Sequence, residues 1–153
     1  LRLTYRVLEQ VEQDKYDVYF INFANADMVG HTGNYEATKN ACSAVDQCLV
    51  KIFASVMNKH GAILITADHG KAEEIHPAGQ LGGITTQHTT NPVPFHYLRE
   101  ELRRTVSKSD HEVKTIMSNP IGVLADVAPT ILDILHIPKT PSMTGVSLLG
   151  SLR

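Results

Sequence analysis

Only two cysteines occur in the 153 residues, neither sign of charge dominates, and there is no stretch of about eighteen apolar residues of the kind that spans a membrane. Each scarcity removes a class of protein. Two cysteines cannot staple a disulfide-dense miniprotein. Cys42 and Cys48 moreover stand in a stretch that reads as one helix, separated by a rise of ~9 Å that no disulfide bridges. Neither lies in a CxxC or Cys/His zinc spacing, so both read as small core residues with free thiols in a reducing compartment. The opening stretch, Leu1 to Asp17, mixes charge throughout, unlike a secretory leader, and a cytoplasmic protein without a membrane span is expected. Fourteen Lys and Arg against sixteen Asp and Glu leave a net charge of −2, with no overall pull towards nucleic acid or anionic membranes. Also missing are a Walker-type phosphate cradle, a GxSxG elbow and an aromatic-basic stripe for single strands.

What remains is globular: 42% hydrophobic and 20% charged residues, enough for one domain with a core. Leu1 stands where an initiator Met is expected and the chain opens directly into a helix pattern, as a piece of a longer protein would. Leu3, Val7, Leu8 and Val11 recur at helical spacing, and Asp17 to Phe23 is a compact β-rich run. After a polar segment punctuated by Gly30 and Gly33, the stripe Ala41, Val45, Cys48, Leu49, Ile52, Phe53 and Val56 predicts a helix of about six turns that stops before Gly61. Ala62 to Thr66 predicts a second strand. Strand, helix and strand make a βαβ unit, which places the loops after Phe23 and after Thr66 side by side at the carboxyl edge of the sheet.

Residues 70–91 lack periodicity and are too long for an idle connection, and residues 92–97, with two prolines, suit a short or edge strand at best. Residues 99–119 belong on the surface, with a short helix over Arg99 to Val106. A last helix takes Asp126 as its N-cap, Pro129 in its first turn and Ile131, Leu132 and Leu135 on its apolar face, ending near His136.

Five residues in those adjoining loops can carry chemistry. Asp27 and His31 lie in Asn25-Ala-Asp-Met-Val-Gly-His-Thr-Gly33, Asp68 and His69 in Thr66-Ala-Asp-His-Gly70, and His88 in the third loop. Taken singly, Asp27 could cap a loop, Asp68-His69-Gly70 could form a turn, and His31 or His88 could be a hydrogen-bonded surface residue. Together at one sheet edge they make a divalent metal site: carboxylate oxygen and imidazole nitrogen suit borderline ions, and converging carboxylates call for a cation. Thr89, Thr90 and Asn91 would orient His88. His60 and His136 fall at helix C-termini, where the helix dipole favours an imidazole without any catalytic role, and His76, His96 and His111 read as surface or loop residues.

The segments Asn25 to Gly33, Thr66 to Gly70, His88-Thr-Thr-Asn-Pro-Val-Pro94 and Asp126-Val-Ala-Pro-Thr-Ile-Leu132, with Met143-Thr-Gly145, closely resemble the cofactor-independent phosphoglycerate mutases of the alkaline phosphatase superfamily. The resemblance runs in order along nearly the whole chain. It implies an α/β/α sandwich of the alkaline-phosphatase type with an incomplete sheet, these residues forming the C-terminal part of the metal-binding phosphatase domain. It further implies two divalent ions, usually Mn2+ with Zn2+, Mg2+ or Co2+ as alternatives. These serve the interconversion of 3-phosphoglycerate and 2-phosphoglycerate through a phosphoserine intermediate. Carried over, Asp27, His31 and His88 would hold the first ion, and Asp68 and His69 the second. The nucleophilic Ser, a further Asp ligand and the glycerate-gripping phosphotransferase domain belong to an earlier part of the family chain. The fragment alone is therefore expected to have no turnover, and its incomplete sheet could self-associate through an exposed edge. Lys71 departs from the family, which usually has Asn there, and so changes hydrogen bonding and charge beside the second ion. Three other readings fit the residues: another phosphomutase or phosphatase of that superfamily, a two-His-one-carboxylate iron oxygenase, and a non-catalytic metal-binding module.

Overall fold

The computed structural model describes residues 2–75 and 85–152, which fall into two compact units, 1–63 with 69–93 and 64–68 with 94–153. In the first, helix α1 (Arg2–Gln13) turns Val7 and Val11 to one face, α2 (Asn25–Gly30) is short, and α3 (Tyr35–Asn58) brings Ile52 against the α1 pair. Leu8, Tyr19, Ile21, Phe23, Val56 and Ile63 close around that trio. Each buried aliphatic side chain contributes ~1.5–3 kcal/mol, so this small cluster is what docks α1 on α3. Lys59 ties the far ends of the two helices together, its Nζ donating to the Glu12 carbonyl at 3.2 Å.

Residues 17–23 were expected as a strand and are not one. Half-buried Tyr19, Ile21 and Phe23 alternate with exposed neighbours, the period of a strand, but the segment joins no sheet among the described residues. A strand needs a partner's N–H and C=O groups as much as its own side-chain alternation, and without one the βαβ unit does not form. Tyr19 anchors the segment instead, its hydroxyl donating to the Gln10 carbonyl at 3.0 Å.

Helix α3 starts where Asn34 accepts a hydrogen bond from Ala37 N and ends as the stop at Gly61 implies. His60 takes the left-handed conformation, φ 55°, while Gly61 N donates back to the Val56 carbonyl at 3.0 Å. His136 plays the same part after the last helix, with φ 56° and Ile137 N donating to the Leu132 carbonyl at 2.8 Å. Cys48 is buried in α3, Cys42 is half-buried, and both are free thiols.

In the second unit, β1 (Ile63–Thr66, its first residue counted with the first unit) pairs with β2 (Phe95–Leu98) in a two-stranded sheet. Among the described residues the sheet has these two strands, and β2 begins only after Pro92 and Pro94, which have no N–H to donate. The helix expected over residues 99–106 shrinks to a 3-10 turn at Glu100–Leu102. Helix α4 (Asp110–Met117) was not anticipated; it buries none of its residues, so no apolar period announced it. Its signal lies in the capping box, Ser109 Oγ accepting from Glu112 N while the Glu112 carboxylate accepts from Ser109 N. No described helix is long and apolar enough to cross a membrane.

Helix α5 (Val127–Ile134) closes through His136, near where the sequence ends it, and carries Pro129 buried in its first turn. Asp126 precedes it but does not cap it, because the residue is already helical in the 3-10 turn Leu124–Asp126 and its carboxylate cannot reach forward. Oδ2 accepts from Val123 N and Oδ1 from Val146 N, both at 2.8 Å. Those two N–H groups, the Val123 one first, with Lys139 nearby, outweigh burial and hold the carboxyl below the ordinary aspartate range. A lowered folded pKa means that the stabilisation is complete above the ordinary aspartate value, ~3.9, and is lost as pH falls through the folded one. The urea midpoint should therefore drop on acidification through that window, and less steeply in Asp126→Asn. Equal slopes in the two proteins would remove Asp126 as the source.

Candidate metal centre

Helix α2 is too short to show a period, yet it decides the site. Asp27 in its first turn and His31 at its C-cap are four positions apart, so both side chains leave the same face, and His31 N closes the turn on the Asp27 carbonyl at 3.1 Å. The polar segment expected there as a loop is thus helical. A turn through Gly33, φ 68°, then leads into α3.

His88 comes to this face from 57 residues further along the chain. Its Nε2 lies 3.2 Å from Asp27 Oδ1 and 3.2 Å from His31 Nε2, and His31 Nε2 lies 3.2 Å from the same Oδ1. The three atoms form an equilateral triangle. Oδ1 is buried, and despite two nitrogens at this distance no N–H points at it in hydrogen-bond geometry. Elsewhere such an oxygen would be paired, and a cation held at the centre by Asp27, His31 and His88 would pair it here. A tetrahedral ion with bonds of ~2.0 Å spaces its ligands roughly 3.3 Å apart, and cis positions of an octahedron at ~2.1 Å are roughly 3.0 Å apart, so the triangle fits either.

The tautomer of the neutral His31 ring follows from its other nitrogen. Nδ1 lies 2.7 Å from the Thr86 carbonyl, which can only accept, so Nδ1 carries the proton and Nε2 presents its lone pair to the triangle. His69 stacks on His88, ring centroids 3.5 Å apart and planes inclined by 12°, with its Nδ1 at 3.3 Å from the Gly70 carbonyl. Four of the five expected residues thus meet within the first unit. Asp68 belongs to the second unit and is exposed. His96 and His111 are exposed, and His76 lies outside the described residues.

Sequence reasoning missed the support behind His88. Lys71 is 4% exposed, and its Nζ donates to the carbonyls of Thr85 at 3.3 Å and Gln87 at 3.0 Å. The Glu73 carboxylate accepts from Thr89 Oγ1, from Asn91 Nδ2 at 3.1 Å and from Lys71 N at 2.7 Å. Burial pushes the Glu73 pKa up, but these bonds together outweigh it and hold the carboxyl below the usual glutamate range. Lys71 thus faces the loop that carries His88.

Residues 1–139 match the family described as the Metalloenzyme superfamily. A 2,3-bisphosphoglycerate-independent phosphoglycerate mutase of Clostridium botulinum (strain ATCC 19397 / Type A) is 46% identical over 147 residues, 96% of this chain and 26% of the relative. One of Synechococcus sp. (strain JA-2-3B'a(2-13)) is 47% identical over 149 residues, 97% of this chain and 27% of the relative. Among solved structures, a phosphoglycerate mutase of Leishmania mexicana, crystallised at low cobalt concentration, superposes with a TM-score of 0.75 at 29% identity. That match covers 95% of this chain and 27% of the other. The chain therefore spans about a quarter of the length of these relatives. A carboxylate and two imidazoles drawn into one cation-sized triangle are what a match over residues 1–139 leads one to expect, and the chain belongs to the metalloenzyme superfamily.

Proposed function

We propose that these residues are the C-terminal part of a cofactor-independent phosphoglycerate mutase, acting in the cytoplasm in glycolysis and gluconeogenesis. The reaction is the interconversion of 3-phosphoglycerate and 2-phosphoglycerate through a phosphoserine. The observation that carries this reading is the Asp27, His31 and His88 triangle with its unpaired buried oxygen. The shared name of the relatives supports the substrate. In this reading Asp27, His31 and His88 hold a first ion, while Asp68 and His69 contribute to a second. The serine nucleophile and the phosphotransferase domain come from the rest of the protein.

Bound divalent ions, Mn2+ in this reading, supply positive charge to the phosphate and lower the pKa of the attacking hydroxyl. The chain's own residues prepare for that. Asp27 contributes the negative charge of the triangle, the Thr86 carbonyl keeps the His31 lone pair turned inward, and the His69 ring limits how far His88 can tilt. Two imidazoles and one carboxylate would equally suit the iron of an oxygenase, but such a centre has no use for His69. Among the described residues the sheet has two strands, which supports self-association by further strand pairing as part of the reading.

A chimera tests it. These residues replace the matching quarter of the Clostridium botulinum relative, and 2-phosphoglycerate formation from 3-phosphoglycerate is assayed with Mn2+. Turnover that disappears with Asp27→Ala is expected. A folded chimera without turnover would point to another phosphatase or to a non-catalytic module and end the mutase reading. The 153-residue chain alone is expected to form no product.

A further inference from the structure

His88 sits on a loop and is exposed, yet its Nε2 is held 3.2 Å from both Asp27 and His31. Something must hold the loop. On the N-terminal side of His88, the Lys71 ammonium takes the carbonyls of Thr85 and Gln87. On the C-terminal side, the Glu73 carboxylate takes Thr89 Oγ1 and Asn91 Nδ2, and Thr89 N donates to the Gly70 carbonyl at 2.8 Å. Both arms leave one turn, 70–73, and Lys71 N donating to Glu73 couples them. The lysine stem also runs beneath α2: a Cβ added to Gly30, the neighbour of His31, would lie 3.1 Å from Lys71 Cγ. One side chain therefore touches the end of the helix that presents His31 and the loop that presents His88.

We propose that Lys71 and Glu73 are positioning residues, a two-armed clamp that sets His88 against Asp27 and His31. An ammonium ion is costly to bury, and so near a cation site it adds repulsion as well; as a spacer a Met would pack as well without either cost. What the ammonium adds is two directed hydrogen bonds to the main-chain carbonyls of Thr85 and Gln87, which flank Thr86, whose own carbonyl receives His31 Nδ1. Residues 85, 86 and 87 are thereby gripped by both the lysine and the first histidine. The clamp rests on the metal-centre reading only for the Mn2+ arm of its test.

The experiment compares the parent chain with Lys71→Met, Lys71→Arg and Glu73→Gln. In metal-free protein, amide exchange at Thr89 should speed up by about tenfold or more in Lys71→Met and Glu73→Gln while the α1 and α3 amides keep their protection, and the His31–His88 ring NOE should weaken. Mn2+ affinity by calorimetry should fall by about 10–100-fold, as for other groups that orient a ligand, with Lys71→Arg recovering most of it. Thr89 exchange and Mn2+ affinity within about twofold of the parent in folded Lys71→Met and Glu73→Gln would overturn the clamp, since a clamp's loss exceeds that margin. Glu73 is exposed, so Glu73→Gln decides alone should Lys71→Met not fold. A parent chain that binds no Mn2+ counts against the proposed function, and the metal-free exchange comparison then decides the clamp.

Discussion

Replacing His88 by alanine should weaken Mn2+ binding to this chain by more than ~100-fold, since removing a group that merely orients a ligand already costs 10–100-fold. His88 supplies one corner of a triangle whose other corners are only 3.2 Å away, and what remains, Asp27 and His31, is an i,i+4 pair on a short helix. Such pairs are common on protein surfaces without any metal. Calorimetry with Mn2+ and the visible spectrum of bound Co2+ read the loss directly. His111→Ala, on the exposed surface of α4, is the control and should bind like the parent. Equal affinity in His88→Ala and the parent would dissolve the centre.

The largest effect on stability is expected at Gly145→Ala, a loss of about 3 kcal/mol, at the upper end of the usual range for overpacking. A Cβ there would fall 2.0 Å from the Ala125 carbonyl oxygen, 2.5 Å from its carbon and 3.0 Å from Asp126 N. All three are backbone atoms, which no rotamer change can move aside. Shifting the chain at residue 145 would also strain the neighbouring bond from Val146 N to the Asp126 carboxylate and the one from Lys139 Nζ to the Gly145 carbonyl, 2.6 Å long. Urea unfolding checks it against Gly150→Ala, where a Cβ meets nothing within 4 Å and the change should stay within about 0.5 kcal/mol. Matching midpoints for the two variants would show that the backbone yields more readily than these distances imply.

Which elements could be read from sequence follows from how local their causes are. Helices α1 and α3 repeat apolar residues every turn, and the core they build through Val7, Val11 and Ile52 is the stripe visible in the sequence. Tyr19, Ile21 and Phe23 alternate just as clearly, but a strand also needs a neighbouring ladder, and residues 17–23 have none among the described residues. Helix α2 spans six residues and α4 buries none, so neither has a period long or apolar enough to read. Asp126 looked like a cap because its type suits one; its two backbone partners, 3 and 20 residues away, depend on how the chain returns.

The sequence by itself determined which groups are available for metal chemistry and the four-residue spacing of Asp27 and His31, because residue type and spacing are properties of nearby positions. Only the tertiary structure decided that His88 closes the triangle across 57 residues, that Thr86 sets the His31 tautomer, and that a buried Lys71 grips the loop between them. Coordination and hydrogen bonding act over about 2–3 Å, and no pattern along a chain reports which distant atoms will come that close.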